Sequence, residues 1–277
     1  MTRQKRTPGQ DAASDRGHVG EAHVPARHTA LHTAPTAAAH AVTEGDATAT
    51  RQALASAAAA LGLTLGDRAL DRLLEYLALL QRWNATYNLT AVRDPRAMLA
   101  QHLVDCLAVV PALERQLAGR PGTTPTTRPV RVLDVGSGGG LPGVVLAIAD
   151  ERLQVTCVDT VGKKSAFVRQ VAGQLALPTL QAVHARVEAL PVAARGTGFD
   201  IVTSRAFSSL ADFTRLTADL LVPGGVWMAM KGKPPEDEIA ALPARVEVFR
   251  VERLQVPGLA ADRCLVWMRP RPTAASA

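Results

Sequence analysis

Leu133-Asp134-Val135-Gly136-Ser137-Gly138-Gly139-Gly140-Leu141-Pro142-Gly143 closes one short apolar strand, Val130–Val135, and opens an apolar helix that runs to Ala149. A strand that turns through glycines into a helix is the opening unit of a βαβ fold. Glycines there permit a tight turn and close approach of backbone to a ligand, beside the positive end of a helix. The next strand, Leu153–Asp159, ends in a carboxylate 23 residues after Gly136. An acid at that place accepts both hydroxyl protons of a ribose, so loop and acid together point to a nucleoside-bearing cofactor.

Residues 138–143 match G-x-G-x-x-G in a shifted register, which keeps a dinucleotide open. In the register that starts directly after the strand, the third position is Leu141 rather than glycine. Asp134 stands two residues before Gly136. A carboxylate there opposes a pyrophosphate and suits the cationic, amino-acid-like end of S-adenosylmethionine. Its alternative role is to brace the loop.

Outward from this unit the pattern stays α/β. Lys163–Leu175 and Ser209–Leu221 read as helices, and Leu180–His184, Phe199–Ser204 and Gly225–Met230 as strands. Arg245–Val256 and Arg263–Met268 read as two further strands, antiparallel at one edge. Upstream, residues 51–118 read as helical. Leu70, Leu73, Leu74, Leu77, Leu80 and Trp83 fall on one face behind a capping Asp67, and a second helix runs from Pro95 to Ala118. The expected organisation is an extension at 1–50, a helical segment at 51–118, a sheet domain at 130–268 and a disordered tail at 270–277.

Five stretches carry a family resemblance: Trp83 to Asp94 (WNATYNLTAVRD), Asp134 to Gly143 (DVGSGGGLPG), Ser204 to Phe207 (SRAF), Met230 to Gly232 (MKG) and Pro235 to Ile239 (PEDEI). Across about residues 52–268 the chain resembles the bacterial small-subunit ribosomal RNA guanine-N7 methyltransferases, the glucose-inhibited division protein B family. The resemblance implies a Rossmann-like methyltransferase sheet behind a small helical N-terminal segment. It also implies an enzyme that uses S-adenosylmethionine to methylate N7 of one guanine in 16S ribosomal RNA. By motif, Gly136 and Leu141 match the family's cofactor loop, Val187 and Glu188 the segment near the adenine, and Arg205 the arginine of S-R-A-F. Asp159 joins the cofactor set from its strand end, with Asp134, Gly138 and Gly140 as further loop candidates.

N7 of guanine carries a free lone pair, so its methylation needs no general base. The sequence accordingly offers no Ser-His-Asp or Cys-His constellation, and His102 and His184 stand alone. Arg205 follows the fourth strand at its carboxyl end and is the candidate active-site residue.

Lysines are few, five against 26 arginines, and four lie beside the carboxyl edge of the sheet: Lys163, Lys164, Lys231 and Lys233. Lys231, Lys163, Lys164 and Arg93 are therefore the candidate RNA contacts. Asn88 and Asp94 read as helix caps or as part of a recognition loop; Trp83 and Tyr87 read as core or as stacking platforms.

Charge divides the chain. Residues 1–50 hold five basic and five acidic groups, five of the seven histidines and no Phe, Trp or Tyr, and read as disordered. The remaining 227 residues carry the whole net charge of +6, which suits an anionic partner. Cys106, Cys157 and Cys264 form no metal pattern, and no metal is expected. No apolar run reaches about 18 residues and no secretory signal is evident, so the expected setting is the cytoplasm, with no membrane contact. The expected partner is 16S ribosomal RNA, alone or in a small subunit or assembly intermediate. The alternatives are a nicotinamide-dependent oxidoreductase, a small-molecule methyltransferase and a cofactor-sensing RNA-binding protein.

Overall fold

The computed structural model describes residues 44–119, 128–190 and 198–272. Helices α1 (Glu44–Ala60), α2 (Asp67–Tyr87) and α3 (Pro95–Met98) come first, then a π-helical turn (Leu99–Val104), α4 (Asp105–Leu107) and α5 (Val110–Ala118). The sheet unit follows with β1 (Val130–Val135), α6 (Gly143–Ala149), β2 (Leu153–Asp159), α7 (Gly162–Gln174), β3 (Leu180–His184) and β4 (Phe199–Arg205). It continues through α8 (Leu210–Thr217), β5 (Leu221–Lys231), α9 (Glu236–Ala240), β6 (Val246–Leu254) and β7 (Arg263–Pro270).

The seven strands lie in the order β3-β2-β1-β4-β5-β7-β6. Strands β1 to β5 pair in parallel, and β7 runs antiparallel between β5 and β6. The central strands β1 and β4 are buried almost throughout because helices cover both faces. Chain order reverses between β1 and β4, and the crevice at the carboxyl ends of these two strands is where open α/β sheets bind ligands. This is the Rossmann-like α/β sheet expected.

The helical segment shares its core with the sheet. Leu54, Leu73, Tyr76, Leu80, Trp83 and Leu107 belong to one buried cluster with Val132, Val145, Phe167 and Ile201. Trp83 is buried between Tyr87 and Phe167, with ring centroids 4.9 and 5.4 Å away, so it is core rather than a base-stacking platform.

Several boundaries differ from the reading. Helix α1 begins at Glu44, so the last residues of the 1–50 extension are helical; the Ala-rich run favours a helix and Leu54 anchors it by complete burial. Residues 1–43 lie outside the described residues, as do 273–277 of the expected C-terminal tail. Pro270, assigned to that tail, pairs with Val246 in the sheet. Gly66 rather than Asp67 occupies the cap of α2, and Asp67 instead binds Arg51 at 2.7 Å.

The expected helix from Pro95 to Ala118 is one apolar run broken twice. It widens into the π-helical turn and breaks again before α5, where Pro111 has no N–H to continue the ladder. An 18-residue window of this run has a mean hydropathy of 1.3, enough in length and composition for a membrane span, yet 67% of it is buried inside the protein.

Candidate active site

The glycine loop leaves β1 and folds back on β2. Gly136 and Ser137 donate to the Val158 carbonyl at 2.9 and 3.2 Å, and Gly140 donates to the Ser137 carbonyl at 2.8 Å. Gly136, Gly138 and Gly140 all have positive φ, at 69°, 58° and 89°. A Cβ on Gly136 would meet nothing within 4 Å, and one on Gly138 only the Gly136 carbonyl at 4.0 Å. A Cβ on Gly140 would stand 2.3 Å from Val144 Cγ2. Gly136 and Gly138 thus present bare backbone to open space, whereas Gly140 serves core packing.

Two side chains clamp the loop. The Tyr76 hydroxyl of α2 donates to the Gly139 carbonyl at 2.6 Å, and Leu80 packs where a Gly139 Cβ would fall. Asp134 is fully buried, and its Oδ2 accepts from the Gly143 amide at 2.8 Å. Burial pushes its carboxyl up to about 7, and Oδ1 has no hydrogen-bond partner among the described residues. Asp134 therefore braces the loop from beneath and takes the first amide of α6, so that helix end presents no free Gly143 N–H to a ligand.

A cavity of about 390 Å³ opens above the loop at the β1/β4 switch point. Gly136, Gly138, Leu141, Arg205 and Lys231 line it; Asp134, Gly140, Asp159, Val187 and Glu188 do not. Asp159 sits beside the loop with both carboxylate oxygens engaged: Oδ2 accepts from Gly138 N at 2.9 Å and Oδ1 from Val161 N at 2.8 Å. Each oxygen retains acceptor capacity. Val187 is buried in a 3-10 turn after β3, and Glu188 beside it is exposed. The Asp159 carbonyl accepts from Ala185 N at 3.2 Å, so loop, acid and the Val187–Glu188 turn form one continuous edge.

The opposite wall is cationic. Arg205 Nη1 donates to the Gln101 carbonyl at 2.9 Å and to Asp105 Oδ2 at 3.3 Å. Asp105 Oδ1 accepts from Arg263 Nε at 2.8 Å. Asp105, 1% exposed, is thus shared by two arginines that both line the cavity. The π-helical turn aims this group, since it projects the Gln101 carbonyl and Asp105 toward β4. Ala206, next in chain to Arg205, holds φ at 62°, a conformation that costs about 1–2 kcal/mol in a non-glycine residue.

Thr90, from the Trp83–Asp94 connection, also lines the cavity and bonds His102 Nε2 at 2.8 Å. Burial holds the His102 imidazole below its ordinary pKa, and the nearby Arg205 charge acts in the same direction. The connection is cross-braced by Asn84, which accepts from Thr90 N at 2.8 Å and donates to the Val92 carbonyl at 3.1 Å. Asn88 takes a left-handed φ of 50° at the end of α2, and Asp94 caps α3 through Ala97 N at 2.7 Å.

The candidate RNA cations are dispersed. Lys231 places Nζ 2.8 Å from both carboxylate oxygens of Glu238, which also accepts from Leu210 N at 2.8 Å. Its charge is matched, and it ties β5 to α8 and α9 at the cavity rim. Arg93 reaches Asn88 Oδ1 at 2.9 Å. Lys163 is exposed and Lys164 half-exposed on the first turn of α7, away from the cavity lining. Sequence reasoning missed Asp105, Arg263, Thr90 and Gln101. Only Asp105 carried a signal, as the single acid in the apolar stretch Met98–Leu113.

The GidB family, described as rRNA small subunit methyltransferase G, matches residues 69–266. A protein of Acidovorax sp. (strain JS42) named Ribosomal RNA small subunit methyltransferase G is 57% identical over 224 residues, which cover 80% of this chain and 96% of that protein. The protein of the same name from Albidiferax ferrireducens is 58% identical over 221 residues, 79% and 96% of the two chains. That from Leptothrix cholodnii is 56% identical over 226 residues, 82% and 98%. The family match at residues 69–266 includes the glycine loop and the arginine wall, and with the near-complete coverage of these relatives it shows that the chain belongs to the rRNA small subunit methyltransferase G family.

Proposed function

We propose that the protein transfers the methyl group of S-adenosylmethionine to N7 of a guanine in 16S ribosomal RNA. The carrying observation is the bare backbone of Gly136 and Gly138 at the sheet's switch point, opening on a cavity with two arginines on its far wall. The residues present fit the cofactor. Gly136 and Gly138 leave room for close approach, Asp159 stands at the loop with spare acceptor capacity, and Leu80, Leu89, Leu141 and Met230 give the cavity apolar surface. Bound there, S-adenosylmethionine supplies an electrophilic methyl group on a sulfonium sulfur.

The chain's own part is placement. Guanine N7 is already nucleophilic, so no side chain need remove a proton. Asp105 lines the cavity with both oxygens committed to arginines, which leaves it no role as a base. Thr90, Arg205 and Met230 bound the space in which a base is held, and the helical segment excludes water from one side. Fixing two reactants in this way supplies about 7–11 kcal/mol of barrier reduction. N7 is most accessible in unpaired RNA, which favours an exposed guanine in the free RNA, a small subunit or an assembly intermediate. Such a substrate puts the reaction in the cytoplasm.

The test is incubation with labelled S-adenosylmethionine and either small subunits or naked 16S RNA from cells lacking the activity. The expected product is label at one guanine N7. Cofactor binding without transfer to any guanine N7 overturns the proposal and favours a cofactor-sensing RNA-binding protein.

A further inference from the structure

Arg263 belongs to two cavities at once. It closes the wall of the active-site cavity, and it also lines a second, larger groove of about 640 Å³. That groove lies between the end of α1 at Ala60, Pro234 after β5, the last residues of β6 from Arg253, and the connection from Gln255 to Asp262 that joins β6 to β7. Arg253 is exposed there, and the groove also offers Gln255 together with the apolar surfaces of Val256, Pro257 and Leu259. Asp262 is its one acid among the described lining residues, and its carbonyl accepts from Arg263 Nη1 at 2.8 Å.

The charge balance at the shared wall is uneven. Asp105 is one carboxylate serving two guanidinium groups, Arg205 and Arg263. Lys231 nearby is matched by Glu238. Among the described residues, Arg205, Arg263 and Arg253 stand against Asp105 and Asp262, which leaves one net positive charge across the two cavities. Arginine at such a place suits a phosphate, whose oxygens it can engage in a planar fork.

We infer that the second groove receives the RNA strand next to the target nucleotide, with Arg263 on the phosphate that joins the nucleotide in the cavity to its neighbour in the groove. This rests on the proposed RNA substrate and extends it to a strand path. A polar, cationic groove with apolar patches suits unpaired RNA, whose phosphates and base faces are both accessible. Asp105 acts here as a positioning residue that holds Arg263 and Arg205 at a fixed separation.

The test uses the full chain and two RNA fragments that carry the target guanine, one trimmed on its 5′ side and one on its 3′ side, beside the untrimmed fragment. RNA affinity is measured against salt concentration, and S-adenosylmethionine affinity is measured separately. Arg263→Ala and Arg253→Glu are each expected to weaken binding of the untrimmed fragment about tenfold. The salt slope should fall by about one for Arg263→Ala. S-adenosylmethionine affinity should stay within about twofold for Arg253→Glu, which lies outside the active-site cavity. Arg253 is exposed and outside the buried ion pairs, so its variant keeps the test valid if Arg263→Ala folds poorly. One trimmed fragment should bind the wild type as weakly as the variants bind the untrimmed one, and the variants should not notice that trimming. If both variants bind all fragments like the wild type, the strand path is wrong while the RNA substrate stands. Wild-type protein that neither binds nor methylates the untrimmed fragment overturns both.

Discussion

Asp134 keeps a carboxyl group where water does not reach, with one oxygen on Gly143 N and the other unpartnered among the described residues. Its proton leaves at about 7 in the folded protein against 3.8 ordinarily, because burial disfavours the charge. Between these values the native state holds a proton that the unfolded chain has released. Stability contributed at this site is therefore complete in acid, falls as pH rises across that window, and is level above it. Asp134→Asn removes the slope. Its melting temperature relative to wild type should rise between about pH 4 and about pH 7; a constant difference would show that Asp134 titrates normally. Asp159→Ala leaves the amides of Gly138 and Val161 without their acceptor. Calorimetry should show at least about a tenfold loss of S-adenosylmethionine affinity with the sheet intact, from charge-assisted hydrogen bonds worth about 1.5–3 kcal/mol each. Unchanged affinity would remove Asp159 from the site. The loop glycines should separate by phenotype. Gly140→Ala meets Val144 as well as backbone strain and should cost about 2–4 kcal/mol in denaturant unfolding. Gly136→Ala meets open space, so it should lose far less stability and more cofactor affinity. Equal stability losses would contradict the division between a packed and an open glycine.

At the scale of elements, Lys231 and Glu238 join β5 to α9, and Glu238 also holds the first amide of α8. Removing either partner should cost about 1–3 kcal/mol, and the double variant should lose little more than one single variant. Additive losses in thermal or denaturant unfolding would mean that the two side chains act apart. Strands β1, β2 and β3 were legible to the residue because apolar runs bounded by Gly, Asp and Pro have one reading in a parallel sheet. The two helical breaks between Pro95 and Ala118 were not legible as such. The apolar period runs straight through both, and the π-helical turn is set by what Gln101 and Asp105 reach across the fold. The same limit hid Arg263. It opens β7 without any local motif, and its partner Asp105 lies 158 residues away. Lys231 could be found by motif, but its matched charge depends on α9 folding back over β5.

The molecule as a whole has no seam between helical segment and sheet. Tyr76, Leu80, Trp83 and Leu107 belong to the cluster that contains Val132 and Phe167. A chain of residues 128–272 alone would expose this surface, and it should show no cooperative thermal transition; a sharp transition would make the sheet self-sufficient. The central contact in that union is the Tyr76 hydroxyl on the Gly139 carbonyl. It places a helix from the N-terminal third of the fold on the same peptide units that face the cofactor. A ligand that holds the loop in this shape therefore also favours the docked helix, and by reciprocity a docked helix favours the ligand. Cofactor occupancy should be readable as slowed amide exchange along Asp67–Tyr87, a helix from which only Leu80 lines the cavity.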